Sequence, residues 1–363
     1  MQILRIEVCD FRNLGLVQEA PHARFTVISG ENGQGKTNLL EAVYYSLCLR
    51  PLRPTHGAEL VRSGSGRASI QLLLSRGAVT ETIEVSVTAS GRELRLNGKA
   101  AVDLDRWFSG TAVVAFTPED LSLVRGGPER RRRFLDRAVF TRWPLFLAES
   151  RDYHRLLRSR NRILAEGGPA SVRESFEGPL ARAGARVVTR RRAWLTEVAK
   201  PLAGAFDQIA RIPHGLTTLY RGPPEGDEGR VEDWLRGELS RRAESDQERG
   251  FTSVGPHIDD LRFSFGNLDA HRFASQGQAR ALVLALKIAE IENLKEQLGF
   301  SPLLLLDDVS SELDPDRNRQ LLDYLGSLSG QVLLTTTDPE PLLVRLGGRS
   351  ALWRVTAGSV VAE

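Results

Sequence analysis

The sequence predicts an α/β nucleotide-binding fold with a basic helical lobe set into it, and three observations carry that expectation. Near the N-terminus the stretch Gly30-Glu31-Asn32-Gly33-Gln34-Gly35-Lys36-Thr37 stands between an apolar strand and an amphipathic helix. Near the C-terminus four leucines, Leu303 to Leu306, run into Asp307-Asp308. Between them the strand pattern stops near residue 120 and resumes near residue 250, and Arg-rich stretches at helical spacing fill the gap. The expected architecture is a discontinuous head, 1–120 with 250–363, and an inserted, mostly helical lobe over 121–249.

Residues 1–15 alternate apolar and polar side chains as a half-buried strand does, with Phe11-Arg12-Asn13 as an edge or turn. The apolar run 24–29 enters the glycine loop, and the amphipathic run 38–49 leaves it. A Pro- and Gly-punctuated loop over 50–66 carries Arg50, Arg53 and Arg62. Runs at 68–75, 80–89 and 93–96, with a turn at Asn97-Gly98, read as an antiparallel meander. A further strand over 111–117 ends at Pro118-Glu119-Asp120. Helical spacing covers 128–165 and 182–210. The breakers Gly167-Gly168-Pro169 and Gly178-Pro179 and the polar run 221–229 argue against a long coiled-coil arm and for a compact lobe. A strand over 251–265, a helix over 279–298, the leucine strand, a helix over 316–328 and strands at 331–337 and 351–356 complete the reading.

Composition narrows the function classes. With 41% hydrophobic and 26% charged residues the chain reads as an ordinary soluble globular protein. No apolar run approaches the roughly 20 residues of a membrane helix, and no signal-peptide pattern opens the chain. Cys9 and Cys48 read as small core residues in a reducing compartment, so a cytoplasmic protein without a membrane partner is expected. The net charge of +3 is uneven: residues 121–200 hold 19 Arg or Lys against 8 Asp or Glu, so the rest of the chain sums to −8. A basic block on an otherwise acidic protein predicts a polyanionic partner, nucleic acid first, with Arg130, Arg131, Arg132 and Arg133 as candidate contacts.

The glycine loop has the phosphate-loop spacing G-x-x-x-x-G-K-[ST] in the right context of strand and helix. Glycines let successive N–H groups turn inward around a polyphosphate, and the helix dipole points at the same anion. Gly30, Glu31, Asn32, Gly33, Gln34, Gly35, Lys36, Thr37 and Asn38 are the candidate ATP-binding stretch. Lys36 would reach the β- and γ-phosphates, and the Thr37 hydroxyl would ligate Mg²⁺. The chain has five lysines against forty-four arginines, so a lysine in this slot is informative. At the end of the leucine strand Asp307 is placed to hold Mg²⁺ and Asp308 to orient the attacking water. ATP and Mg²⁺ are the expected cofactors.

Ser275-Gln276-Gly277-Gln278 resembles the S-G-G-Q signature of ABC-type ATPases, with Gln276 in place of the first glycine. It stands about thirty residues before the leucine strand, and Ser310-Ser311-Glu312-Leu313-Asp314 after that strand looks like a D-loop, with Ser311 and Asp314 as its candidates. A plain helix cap at Ser275 is the alternative reading. Taken with FRN at 11–13, FTPEDL at 116–121, the RR…FLDR run at 131–137, RSRN at 158–161 and GPHIDDL at 255–261, the chain resembles the RecF family of SMC-like ABC ATPases over essentially its whole length. The resemblance implies an ABC-type head with a mixed sheet. It implies a slow, DNA-stimulated ATPase acting as a switch, whose ATP-dependent homodimer clamps duplex DNA and single/double-strand junctions. With RecO and RecR such a protein helps place RecA at gaps, in DNA repair, replication restart and the SOS response. The signature would then act in trans, on ATP held by the partner subunit.

Four departures stand out. Asp308 occupies a position where such ATPases usually carry Glu. Transport-type members have a Gln where this chain reads Phe116-Thr117-Pro118-Glu119-Asp120; either acid would face Mg²⁺, or the segment is an ordinary turn. They also place a His where it reads Thr335-Thr336-Thr337-Asp338, so that a γ-phosphate contact falls to a Thr or Asp or is absent. Ile258 stands where the family usually has a basic residue, and His257, Asp259 and Asp260 beside it read as a polar turn rather than a metal site. The alternatives are an SMC-like or ABC ATPase head with another partner, and an ATP-gated DNA-binding protein without significant hydrolysis.

Overall fold

The computed structural model describes residues 1–53, 55, 57–210, 215–308 and 314–363. The chain divides into two compact units, Met1–Asp120 with Glu290–Glu363, and Leu121–Ala289.

The first unit opens with β1 (Gln2–Cys9), β2 (Leu16–Glu19) and β3 (Phe25–Ser29), followed by α1 (Lys36–Cys48). Then come β4 (Arg67–Arg76), β5 (Val79–Thr88), β6 (Gly91–Leu96), β7 (Lys99–Ala100), α2 (Leu104–Phe108), β8 (Val113–Phe116) and α3 (Pro118–Leu121). An antiparallel sheet in the order β2-β1-β4-β5-β6-β7 buries one face, with Ile70, Leu72 and Leu74 of β4 opposite Ile83 and Val85 of β5. Asn97 and Gly98 both have positive φ, 50° and 75°, as the two-residue turn between β6 and β7 requires.

The second unit carries α4 (Pro128–Arg142), α5 (Phe146–Ala165) and α6 (Ala170–Ala210), then β9 (Leu216–Arg221), α7 (Glu228–Arg241) and α8 (Ala243–Arg249). β10 (Asp260–Phe265), β11 (Leu268–Asp269) and α9 (Ala270–Phe273) follow. β10 pairs antiparallel with β9 and β11 inside this unit. The strand expected over 251–265 is therefore less than half as long, confined to its C-terminal part, and it completes a small sheet of the second unit. The boundary between the units falls later than residue 250, within α10 (Gln276–Leu298). α6 also runs through Gly178-Pro179, where the sequence predicts a break, and carries Pro201 as well. Packing against α5 and α7 on its flanks overrides the local cost of proline.

Back in the first unit, β12 (Leu303–Leu306), α11 (Pro315–Ser327), β13 (Val332–Thr336), α12 (Glu340–Leu346), β14 (Ser350–Thr356) and β15 (Ser359–Ala362) complete a mixed sheet in the order β15-β14-β3-β13-β12-β8. Its neighbours are parallel except for β15, an edge strand paired antiparallel to β14. α1 packs on β4 and β5 of one sheet and on β8 and β13 of the other, so it is buried on nearly every face. The register brings Ser29, Thr336 and Leu306 to the same edge of the mixed sheet. Ligands of open parallel sheets bind at that edge, beyond the carboxyl ends of the strands.

Candidate nucleotide-binding site

The loop from β3 to α1 is shaped by what surrounds it. Gly33 and Gly35 have φ of 81° and 120°, and a Cβ on Gly35 would lie 2.8 Å from Asn13 Oδ1. Asn13 Nδ2 donates to the carbonyls of Gly33 and Gln34 at 3.3 and 3.2 Å, and Asn38 Nδ2 donates to Asn13 Oδ1 at 2.7 Å. From the turn after β14, the amides of Ala357 and Gly358 donate to Gln34 Oε1 and Gln34 O. Lys36, the first residue of α1, folds back across the loop so that Nζ donates to Gly30 O at 2.7 Å and Glu31 O at 2.9 Å. Burial pushes its pKa down, while Asp308 and Asp307 push it back up.

The acids meet the loop from β12. Asp307 Oδ1 accepts from Thr37 Oγ1 at 2.7 Å and from Thr335 Oγ1 at 2.9 Å. Burial raises the Asp307 pKa, and the two hydroxyl donors hold it down. Asp308 sits in the left-handed region, φ 47°, and its N–H donates to Thr335 Oγ1 at 2.8 Å. Thr336 is turned into its own bend, bonded to Asp338. The sequence placed a possible γ-phosphate contact in this threonine run; the geometry directs Thr335 to the acids instead.

Together Asn32, Gly33, Gly35, Lys36, Thr37, Asn38, Arg53, Asp307 and Asp308 line a cleft of about 230 Å³. Its residues suit a polyphosphate with a hard cation: a glycine loop at a helix N-terminus and an ammonium for the anion, hydroxyl and carboxylate oxygens for the metal. Arg53 brings a second cation that sequence reasoning did not single out. It is fixed by Asn38 Oδ1 at 2.8 Å and by the fully buried Glu41 at 3.0 Å, which also binds Arg12 at 3.1 Å. The signal was an acid inside an apolar run of the helix, at Glu41 among Leu39, Leu40, Ala42 and Val43. A second cavity, with Arg12, Asn13, Asn38 and Arg53 in its lining, shares Asn38 and Arg53 with the cleft.

In the second unit Ser275 caps α10 reciprocally: Ser275 N–H donates to Gln278 Oε1 at 2.8 Å, and Gln278 N–H donates to Ser275 Oγ at 3.1 Å. Ser275 and Gln276 are exposed and Gly277 is half-buried. The segment before them is tied to the preceding loop by Arg125, which donates to Ala274 O at 2.8 Å. Ser310 to Leu313 lie outside the described residues; Asp314 caps α11 by accepting from Arg317 N–H. Asp120 is buried and accepts from Thr117 N–H, which ties it to the start of the short helix α3. His257 bonds Tyr153 and Thr252 O, Asp259 accepts from Tyr220 at 2.7 Å, and Asp260 holds Arg131; each is committed within the unit.

The arginine run of α4 is divided by its helix. Arg131 is buried and bidentate with Asp260, at 2.7 and 3.0 Å, and Arg132 donates to Asp259 O. Arg131 is therefore unavailable to phosphate, a correction to its candidacy made by an acid 129 positions away. Arg130 and Arg133 are exposed, bonded to Ser122 and Glu129. α5 presents a different basic surface. Arg151, Arg155, Arg158 and Arg162 are all exposed at helical spacing, opposite the buried Tyr153, Leu157, Arg160 and Leu164.

The model of the RecF/RecN/SMC N terminal domain family matches residues 2–344. The chain is 49% identical over 365 residues to the DNA replication and repair protein RecF of Anaeromyxobacter sp. (strain Fw109-5), covering 99% of both chains. It is 50% identical over 372 residues to the protein of that name in Myxococcus xanthus (strain DK1622), covering 100% of this chain and 97% of the relative. Among solved structures it resembles the recombination mediator protein RecF-ATP in the RecFOR pathway, with a TM-score of 0.88 and 28% identity over 100% of this chain and 97% of that one. A likeness of fold alone extends to an Smc head bound to the C-winged helix domain of ScpA, with a TM-score of 0.54 and 14% identity over 100% of this chain and 98% of that one.

Proposed function

Because the chain belongs to the RecF family of DNA replication and repair proteins, we propose that it is an ATP-switched, DNA-binding ATPase of recombinational repair. The observation that carries the proposal is the meeting of the phosphate loop and the acid pair: Thr37 bonds Asp307 directly, 270 positions along the chain. Residues 30–38 bind the triphosphate, with Lys36 exchanging the carbonyls of Gly30 and Glu31 for β- and γ-phosphate oxygens. Thr37 and Asp307 hold Mg²⁺, which supplies charge neutralisation at the phosphates. Asp308 orients the attacking water; its reach is shorter than that of Glu, which supports slow hydrolysis.

The chain carries one phosphate loop and one signature, about 240 residues apart. A two-fold dimer makes two composite sites from such a chain, each pairing one subunit's loop with the other's Ser275 to Gln278. Ser311 and Asp314 belong to the same interface. The γ-phosphate is then the link between subunits, and hydrolysis releases it. Residues 1–120 and the C-terminal segment form the ATPase lobe, and the inserted lobe meets duplex DNA and single/double-strand junctions, acting with RecO and RecR and through them on RecA. The exposed arginines of α5 are better placed for phosphate contact than Arg131, and Arg130 and Arg133 add to them.

The test is the mass of the protein with ATP, with ADP and without nucleotide, each with and without duplex DNA. A dimer with ATP and a monomer with ADP is the expected result. Ser275→Arg should bind ATP as a monomer and hydrolyse little of it, and mixing it with Lys36→Met should restore part of the ATPase activity. Full hydrolysis by monomeric Ser275→Arg would overturn the shared site. Asp308→Asn should prolong the dimer.

A further inference from the structure

β13 lies between β3, which delivers the phosphate loop, and β12, which delivers the acid pair. Thr335, near its carboxyl end, is 1% exposed. Its hydroxyl donates to Asp307 Oδ1 at 2.9 Å and accepts from Asp308 N–H at 2.8 Å. One oxygen thus fixes the side chain of the first acid and the backbone of the second. The second is the residue whose backbone needs fixing, because Asp308 is a non-glycine residue at φ 47°.

We propose that Thr335 is the positioning residue of the acid pair: its hydroxyl sets the carboxylate of Asp307 for Mg²⁺ and the backbone turn that aims Asp308. The inference rests on the assignment of Asp307 and Asp308 made above. Thr37 also donates to Asp307, but Thr37 belongs to the phosphate loop and has a metal ligand's duty of its own. Thr335 has no second duty among the contacts it makes, so it is the donor that stays with Asp307 in every nucleotide state. Removing the hydroxyl leaves Asp308 N–H without that acceptor and Asp307 held by Thr37 without its second hydroxyl donor. Partners of this kind, one shell behind a metal ligand, typically shift metal affinity or activity by roughly 10- to 100-fold when removed.

The experiment measures binding of a fluorescent ATP analogue in EDTA and across a Mg²⁺ titration, for wild type, Thr335→Val and Thr335→Ser, with thermal melts alongside. Thr335→Val keeps the buried volume and loses the hydroxyl. It should match wild type in EDTA and need roughly tenfold more Mg²⁺, or still more, to tighten binding. Hydrolysis should fall through kcat with KM for Mg·ATP at saturating metal little changed. Thr335→Ser keeps the hydroxyl and should restore the Mg²⁺ dependence. A wild-type Mg²⁺ dependence in Thr335→Val overturns the proposal, as does a Thr335→Ser protein impaired as much as Thr335→Val, since volume would then be the cause. If wild type itself shows no Mg²⁺-dependent tightening, the assignment of Asp307 fails and this inference with it. Should Thr335→Val not fold, Thr335→Cys, of similar size and with a weaker donor and acceptor, is judged by the same outcomes.

Discussion

Two charged regions of this molecule hold their charge in different ways. In the phosphate cleft, Lys36 rests on two neutral carbonyls, Gly30 O and Glu31 O. In the second unit, Arg131, Arg160 and Arg191 are buried against Asp260, Asp246 and Asp136 at 2.7 to 2.8 Å. The first arrangement is a loan. A phosphate oxygen is a better acceptor than a carbonyl, so a ligand can take the ammonium over. The second is closed, because no phosphate on the surface can offer a buried guanidinium more than the carboxylate it already has. Density of positive charge in a sequence therefore says little about binding until the partner of each charge is known.

Breaking one closed pair should have the largest effect. Arg131→Met removes the buried bidentate partner of Asp260, leaving Arg262 beside it, and should cost about 3–5 kcal/mol of stability, measured by urea unfolding. Arg130→Ala, one residue away and exposed, should stay within about 0.5 kcal/mol of wild type. Equal costs would erase the distinction between the two kinds of arginine.

The cleft should respond in the opposite sense. Lys36→Met should lose about 1.5–3 kcal/mol of ATP affinity, seen by calorimetry, with no comparable loss of stability. Burial already works against the charge of Lys36, so an apolar stem in its place relieves a cost. A variant that unfolds, or one that binds ATP normally, would place Lys36 with the structural cations.

This contrast also marks how far the sequence could be read. The phosphate loop, the leucine strand with its acids and the alternation of β4 and β5 are local patterns. Their physics is contained in windows of ten or so residues, and the structure places them as expected. What the sequence could not reveal lies in partners. Asp260 answers Arg131 from 129 positions away, Asp246 answers Arg160 from 86, and β9 is a strand because β10 pairs with it. The continuation of α6 through Pro179 has the same origin, since tertiary packing outweighs a local break. Thr335 was visible as one of three threonines, but only its neighbours across the sheet single it out.

A smaller effect should separate charge that faces water from charge that is merely abundant. Arg158 and Arg162 lie on the exposed stripe of α5. Changing both to Gln should flatten the slope of log affinity for duplex DNA against log salt by about 0.9 for each phosphate that is no longer neutralised, with the thermal melt unchanged. An unaltered slope in a folded protein would move the DNA surface off α5.

The most gradual effect, spread over about two pH units, concerns a charge that the second unit holds imperfectly. Asp259 accepts from Tyr220 and lies near Arg132, Arg191 and Arg192, yet burial dominates and lifts its pKa from 3.8 to about 6. The native state thus keeps a proton that the unfolded chain has already released. Its contribution to stability is present below about pH 4 and is lost as pH rises through 6. His257 has the opposite sign: burial lowers its pKa, so it contributes above its ordinary value and loses that as pH falls. Asp259→Asn cannot titrate, and it retains His257 with Tyr153 and Thr252. The difference in unfolding free energy between the two proteins therefore isolates Asp259. Wild type should lose stability relative to the variant, on the order of 1 kcal/mol per pH unit between about pH 4 and 6, and the difference should be flat above that. A difference that runs the other way would mean that the three arginines outweigh burial, and that Asp259 belongs with the closed pairs after all.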